Sequence, residues 1–154
     1  MIGLKSTGLH TNGYSLARKV LLEKHKVNDY ILELGMTLGE ALLKVHKSYL
    51  RTVHPLAEQG LLSGISHITG GGIEGNTSRV LPENTKMKID WNSWELPSLF
   101  DMIQREGDVD ESEMRRAFNL GIGMILIADK NNVDRIVEKC SGDDPIIIGE
   151  IGGK

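Results

Sequence analysis

A single cysteine, Cys140, stands among 154 residues, which leaves no partner for an internal disulfide and excludes a cysteine-built metal site. A chain so poor in thiols suits a reducing, cytoplasmic setting. Aromatic residues make up 5%, so the core must come from Leu, Ile, Val and Met. Only four prolines are present; there is no Pro-rich linker, charge block or internal repeat. No apolar run approaches the ~18–20 residues that a membrane span requires. The net charge is −3 and no basic patch is visible, which argues against nucleic acid and anionic membranes as partners. The opening MIGLKSTGLHTNG lacks the basic stretch and long apolar core of a secretory signal. It reads as a strand running at once into a turn, as expected of a domain cut from something longer.

The remaining composition is that of a globular domain, with 40% hydrophobic and 25% charged residues. Residues 1–154 are expected to form one domain. Met1–Leu4 reads as a strand, Ser6–Gly13 as a polar loop, and Tyr14–Lys24 as a helix with Tyr14, Ala17 and Leu21 on one face. Thr37 with Glu40 has the spacing of a capping box and predicts a second helix. Its apolar stripe of Leu42, Val45, Tyr49, Val53 and Leu56, with His46 on the same face, predicts unbroken helix from about Gly39 to His54 and an end at Gly60. Leu61–Thr69 reads as a strand leading into three glycines and a short helix. Lys86–Asp90 reads as a strand, and Pro97–Arg105 and Glu111–Phe118 as helices. The run Gly123–Ala128 has the character of a strand buried on both faces. Val133–Lys139 is helical and Ile146–Ile151 a last strand. This order predicts an α/β or α+β layered domain with four to five strands.

Three segments can carry chemistry. Ser6-Thr7-Gly8-Leu9-His10-Thr11-Asn12-Gly13 packs hydroxyls, an imidazole and an amide between a strand and a helix. Backbone amides at such a junction bind anions, and His10 can move a proton near neutral pH. The plainer reading is turn chemistry with an N-cap. His67-Ile68-Thr69-Gly70-Gly71-Gly72 offers left-handed backbone or a close backbone approach, suited to phosphate or to a tight chain crossing. It is neither a Walker A loop nor a dinucleotide fingerprint. In the third segment, Met114 and Phe118 read as core, and Asn119-Leu120-Gly121 as a helix-to-strand turn. His25, His46 and His54 have no metal-ligand spacing, so no metal site is expected, and His46 reads as a packing residue.

In combination the segments are specific. S-T-G-L-H-T-N-G-Y-S-L-x-R-K, H-I-T-G-G-G-x-x-x-N-x-x-R-V-L-P and E-M-x-x-x-F-N-x-G-I-G-M, in that order, closely resemble the C-terminal half of the aminoimidazole ribonucleotide synthetase family, the phosphoribosylformylglycinamidine cyclo-ligases of purine biosynthesis. The likeness runs over nearly the whole chain. It implies a three-layer α/β/α domain with a mixed sheet and partial likeness to a ferredoxin-like fold. It also implies half of an enzyme that uses ATP and Mg²⁺ to activate an amide oxygen and close an imidazole ring. The missing N-terminal domain would carry the metal and nucleotide segment. The intact protein would be a homodimer, with a phosphorylated small-molecule substrate in a groove between domains.

Residue by residue, the resemblance implies that His10 contacts substrate or aids proton transfer, and is the catalytic residue of this half. Ser6, Thr7, Gly8, Asn12, Gly70, Gly71, Gly72, Asn76, Arg79 and Asn119 would bind substrate, and none would bind metal. The sequence departs from the family pattern at Gly75 (for Glu), Ser78 (for Pro), Arg115 (for Tyr), and Val45-His46 (for Pro-Thr). Two other readings remain at this point: another member of the same ATP-dependent superfamily, or a stand-alone module that binds a phosphorylated ligand or dimerises.

Overall fold

A computed structural model describes residues 1–153. In chain order the elements are β1 (Ile2–Lys5), α1 (Tyr14–Lys24), β2 (Tyr30–Ile31), β3 (Met36–Thr37), α2 (Leu38–Leu42), α3 (Leu50–Glu58), β4 (Gly64–His67), α4 (Gly72–Thr77), β5 (Thr85–Ile89), α5 (Ser98–Gly107), α6 (Glu111–Ala117), β6 (Ile122–Ile127), α7 (Val133–Lys139), β7 (Ile146–Ile147) and β8 (Gly149–Gly153). Among the described residues, strands β4-β6-β1-β7 form one sheet, and β2-β3 and β5-β8 form two small ribbons.

Alternation along β1 assigns the two faces of the main sheet. Ile2 joins Leu126, Leu56 and Ile136 in a cluster that packs α3 and α7 against one face. Ile125 and Ile122 join Ile68, Ile73 and Ile148 on the other, under α4 and the β5-β8 ribbon. A third cluster lies to the side, where α1, α2, α5 and α6 enclose Phe100 and Phe118. Each of these fully buried side chains contributes on the order of 1.5–3 kcal/mol of burial free energy. The domain is α+β and layered as expected, but the layer over the second face mixes a helix with a ribbon.

The expected mixed sheet is not found: among the described residues every strand pairing is antiparallel. β6 is buried on both faces, as its apolar run predicted, with Ile125 and Leu126 inaccessible. Burial on both faces is typical of parallel strands. Here it comes from layers stacked on both sides of antiparallel strands, so strand direction does not follow from it. The last strand also divides. Ile146–Ile147 pairs with β1, then the chain crosses at Gly149 to pair with β5.

The capping box forms as predicted: the Thr37 side chain accepts from the Glu40 amide, and the Glu40 side chain accepts from the Thr37 amide. The long helix it was to open does not form. α2 ends at Leu42 and α3 begins at Leu50, with irregular chain between. Tertiary bonds displace the helical ladder there. The Val45 carbonyl accepts from the Thr7 hydroxyl, the Lys47 amide donates to the His10 ring, and buried Tyr49 donates its hydroxyl proton to the Lys5 carbonyl. Val45, placed on the apolar stripe by periodicity, is 84% exposed.

Candidate functional site

The first loop is organised around His10. The ring is 2% exposed, and its Nε2 accepts amide protons from Thr7 at 3.0 Å and Lys47 at 3.3 Å. Both bonds need a lone pair on Nε2, so the ring's single proton sits on Nδ1. The Thr7 hydroxyl lies 2.9 Å from Nε2 and 2.7 Å from the Val45 carbonyl, and its one proton serves one or the other. The pKa of His10 is pulled down to about 4, first by burial and then by His46, His67 and Lys47. The ring is therefore neutral at physiological pH.

Room for that ring comes from the sheet. At Leu4/Lys5 the pairing of β1 with β6 slips by one residue, leaving Gly123 as the extra residue of a bulge. A side chain at Gly123 would stand 2.2 Å from the Tyr49 hydroxyl and 2.8 Å from the His10 ring. His10 and Thr11 both adopt left-handed backbone, φ 52° and 63°. Each such residue costs of order 1–3 kcal/mol, which the ring's bonds help to offset.

Asn119 ties this loop to the turn before β6. It is 1% exposed. Its Oδ1 accepts from the Ser6 hydroxyl and the Gly121 amide, and its Nδ2 donates to the Gly8 carbonyl. The glycine loop is held in a comparable way by Asn76, whose Nδ2 donates to the Thr69 and Gly72 carbonyls while Oδ1 accepts from the Thr69 hydroxyl. The Arg79 guanidinium reaches the same Oδ1 at 3.4 Å, from an exposed position.

The two loops, each at a strand-to-helix junction, meet. The Gly70 amide donates to Asn12 Oδ1 at 2.9 Å, and Asn12 Nδ2 donates to the His10 carbonyl. The amides expected to receive phosphate are already engaged, however. Gly70 donates to Asn12, Gly71 to the Arg116 carbonyl and Gly72 to the Thr69 carbonyl. The glycines serve a close crossing instead: a side chain at Gly72 would stand 1.7 Å from the Arg115 carbonyl oxygen of α6.

A cavity of about 540 Å³ opens on the other flank of the first loop. Ser6, Thr7 and Gly8 form one wall; Glu33, Lys44 and the first turn of α5 are among the residues that line the rest. The expected site residues thus divide. Ser6–Gly8 face the cavity, Arg79 lies beside the glycine loop, and His10, Asn76, Asn119 and Gly72 are buried among the segments they join. Sequence reasoning passed over Lys44, whose place on the wall depends on the break in the predicted helix.

It also passed over an imidazole cluster. His46 stacks on His10 with ring centroids 4.0 Å apart and planes 16° apart, and its Nε2 lies 3.2 Å from Nε2 of His67. His46 is half-buried, as its packing role predicted. His67 stands at the end of β4, 21 residues away, so no local spacing could have announced the pair.

Residues 1–154 match the family described as AIR synthase related protein, C-terminal domain. A phosphoribosylformylglycinamidine cyclo-ligase of Thermoanaerobacter sp. (strain X514) is 48% identical over 155 residues, covering 98% of this chain and 46% of the relative. That of Pseudothermotoga lettingae is 47% identical, with coverage of 98% and 45%. That of Desulfitobacterium hafniense (strain Y51) is 44% identical, with coverage of 100% and 46%. The chain spans about half the length of the curated relatives it matches. It belongs to the AIR synthase related family and corresponds to that family's C-terminal domain.

Proposed function

We propose that this chain is the C-terminal half of a cyclo-ligase that closes the imidazole ring of aminoimidazole ribonucleotide from formylglycinamidine ribonucleotide, with consumption of ATP, in de novo purine biosynthesis. The observation that carries the reading is the direct bond between the two family loops, Asn12 to Gly70, in a chain 48% identical to a named cyclo-ligase. The glycine-loop amides that would cradle phosphate are internally bonded, and the chain spans about half the length of its relatives. ATP and Mg²⁺ are therefore assigned to a part of the intact protein outside this chain, with which it is paired in a cytoplasmic homodimer.

Within this half, the groups that meet substrate are the ones with open surface: Ser6, Thr7 and Gly8 on the cavity wall, Asn12 and Gly70 at the loop junction, and Arg79 beside it. Lys44 adds a cationic group to the cavity, suited to a phosphorylated small molecule. His10, Asn76, Asn119, Gly71 and Gly72 act on substrate through the loops they shape. His10 is a positioning residue, because its Nε2 lone pair is taken by two amides and its pKa lies well below neutrality.

The test joins this chain to the N-terminal half of a relative and measures ATP-dependent ring closure. The joined protein should turn over, the chain alone should not, and His10→Ala should lower kcat at least ~10²-fold, a typical loss for a misplaced reacting group. Ring closure by the chain alone would overturn the division of labour. A joined, folded protein without activity would overturn the cyclo-ligase reading.

A further inference from the structure

His46 and His67 lie outside the bonds that tie the two loops together, and the proposed reaction makes no use of them. The geometry points to a binding site for a divalent transition-metal ion, of the Zn²⁺, Ni²⁺ or Cu²⁺ class, between Nε2 of His46 and Nε2 of His67. Three observations support it. The two nitrogens face each other at 3.2 Å. An ion bonded to both at the usual ~2.0–2.1 Å would subtend an angle of about 100°, close to tetrahedral, and lie about 1.3 Å off the line between them. The pair is also held in place before any ion arrives. His46 is stacked on the buried His10 ring, and the next residue, Lys47, donates its amide to that same ring. His67 is fixed at the end of β4, paired with Met124 of β6.

Imidazole nitrogens favour Zn²⁺, Ni²⁺ and Cu²⁺ over Mg²⁺, which prefers oxygen ligands. No third His, Cys, Asp or Glu joins the pair among the described residues, so water or a ligand fills the remaining positions, as at open metal sites. The site is independent of the cyclo-ligase reading.

The full 154-residue chain, free of affinity tags, is titrated with Zn²⁺ and with Ni²⁺ by calorimetry. We expect one equivalent to bind, and His46→Thr and His67→Asn each to weaken binding tenfold or more. His54→Ala, on an exposed turn of α3, should leave it unchanged. Absence of stoichiometric binding, or wild-type affinity in His46→Thr, overturns the proposal. Should a variant fail to fold, proton NMR of the wild-type chain decides. Zn²⁺ should shift the ring C–H resonances of His46 and His67 together and ahead of those of His25 and His54; simultaneous shifts of all four, or none, overturn it. Mg²⁺ at the same concentration should produce no effect, and competition by Mg²⁺ would assign the site to oxygen ligands and overturn it as well.

Discussion

Between Ser6 and Gly13 the chain is held by side chains; between Thr69 and Gly72 the bonds of Asn76 are joined by a backbone approach that leaves no room for a Cβ. In the first loop one imidazole accepts from the Thr7 amide within the loop and from the Lys47 amide of a distant segment, and Asn119 makes three bonds that fix both ends of the turn. In the second, the backbone comes so near α6 that no Cβ fits at Gly72. The first loop should therefore be broken by truncating polar groups, and the second by adding one carbon. Neither loop's sequence alone says which regime applies, since both are rich in turn residues.

The largest expected effect tests the second regime. Gly72→Ala places a methyl 1.7 Å from a helix carbonyl at a backbone φ of 65°, where neither partner is a flexible side chain. We expect destabilisation of about 4 kcal/mol or more, near the top of the range for single substitutions. Three residues on, Gly75→Ala meets open space within α4. It should be neutral or stabilising by up to ~1 kcal/mol through helix propensity. Urea unfolding of both variants checks this, and equal effects would remove steric approach as the reason for the glycines.

Next in size is the pH dependence of the first loop. The folded pKa of His10, about 4, lies below its ordinary value near 6.5. Above pH 6.5 the ring is neutral in both states and its contribution to stability is fully present. As pH falls from 6.5 to 4 the unfolded chain takes up a proton that the folded one refuses, so stability declines, by roughly 3 kcal/mol in all. In His10→Asn, a residue that tolerates left-handed backbone, this portion of the decline should vanish. Stability measured by urea at intervals between pH 7 and 4 gives the difference between the two proteins, and parallel curves would contradict the buried neutral imidazole.

Much of the fold was legible because it rests on local signals. The Thr37–Glu40 box, the helices at Tyr14–Lys24 and Val133–Lys139, and the doubly buried β6 all follow from spacing and apolar pattern. What could not be read depends on contacts distant in sequence. The stripe through Val45 is a good helical pattern, yet bonds from Thr7 and to His10 outcompete it. Antiparallel pairing of β6 is set by neighbours more than 50 residues away along the chain. The candidate site was legible as a set of residues, but its sorting into exposed and buried members was not. His10 and Asn119 look alike in sequence to groups that meet a ligand, and only burial separates them.

Asn119→Ala should rank third. It strips the Ser6 hydroxyl, the Gly121 amide and the Gly8 carbonyl of a partner at once, in a residue 1% exposed. Buried groups left unsatisfied cost about 1–3 kcal/mol each, and relaxation of Ser6 toward water spares part of that sum. A loss of about 2–3 kcal/mol in thermal or urea unfolding is expected. A loss under ~1 kcal/mol would show that the first loop does not depend on its side chains in the way the comparison requires.

The smallest expected effect falls on Asn12, the residue at which the two regimes touch. Its Oδ1 takes the Gly70 amide and its Nδ2 holds the His10 carbonyl, both near the surface. Water can replace either partner, so Asn12→Ala should cost only about 1 kcal/mol. The informative quantity is its coupling to Asn76, which shapes the glycine loop from inside without touching Asn12 directly. If the Gly70 bond transmits the position of one loop to the other, the double variant Asn12→Ala/Asn76→Ala should be less destabilised than the sum of the two singles. A coupling of about 0.5–1 kcal/mol is expected, as for residues that share a network. Additivity within experimental error would mean that the loops are neighbours without being mechanically joined. The junction could then no longer serve as the single observation on which the shared site rests.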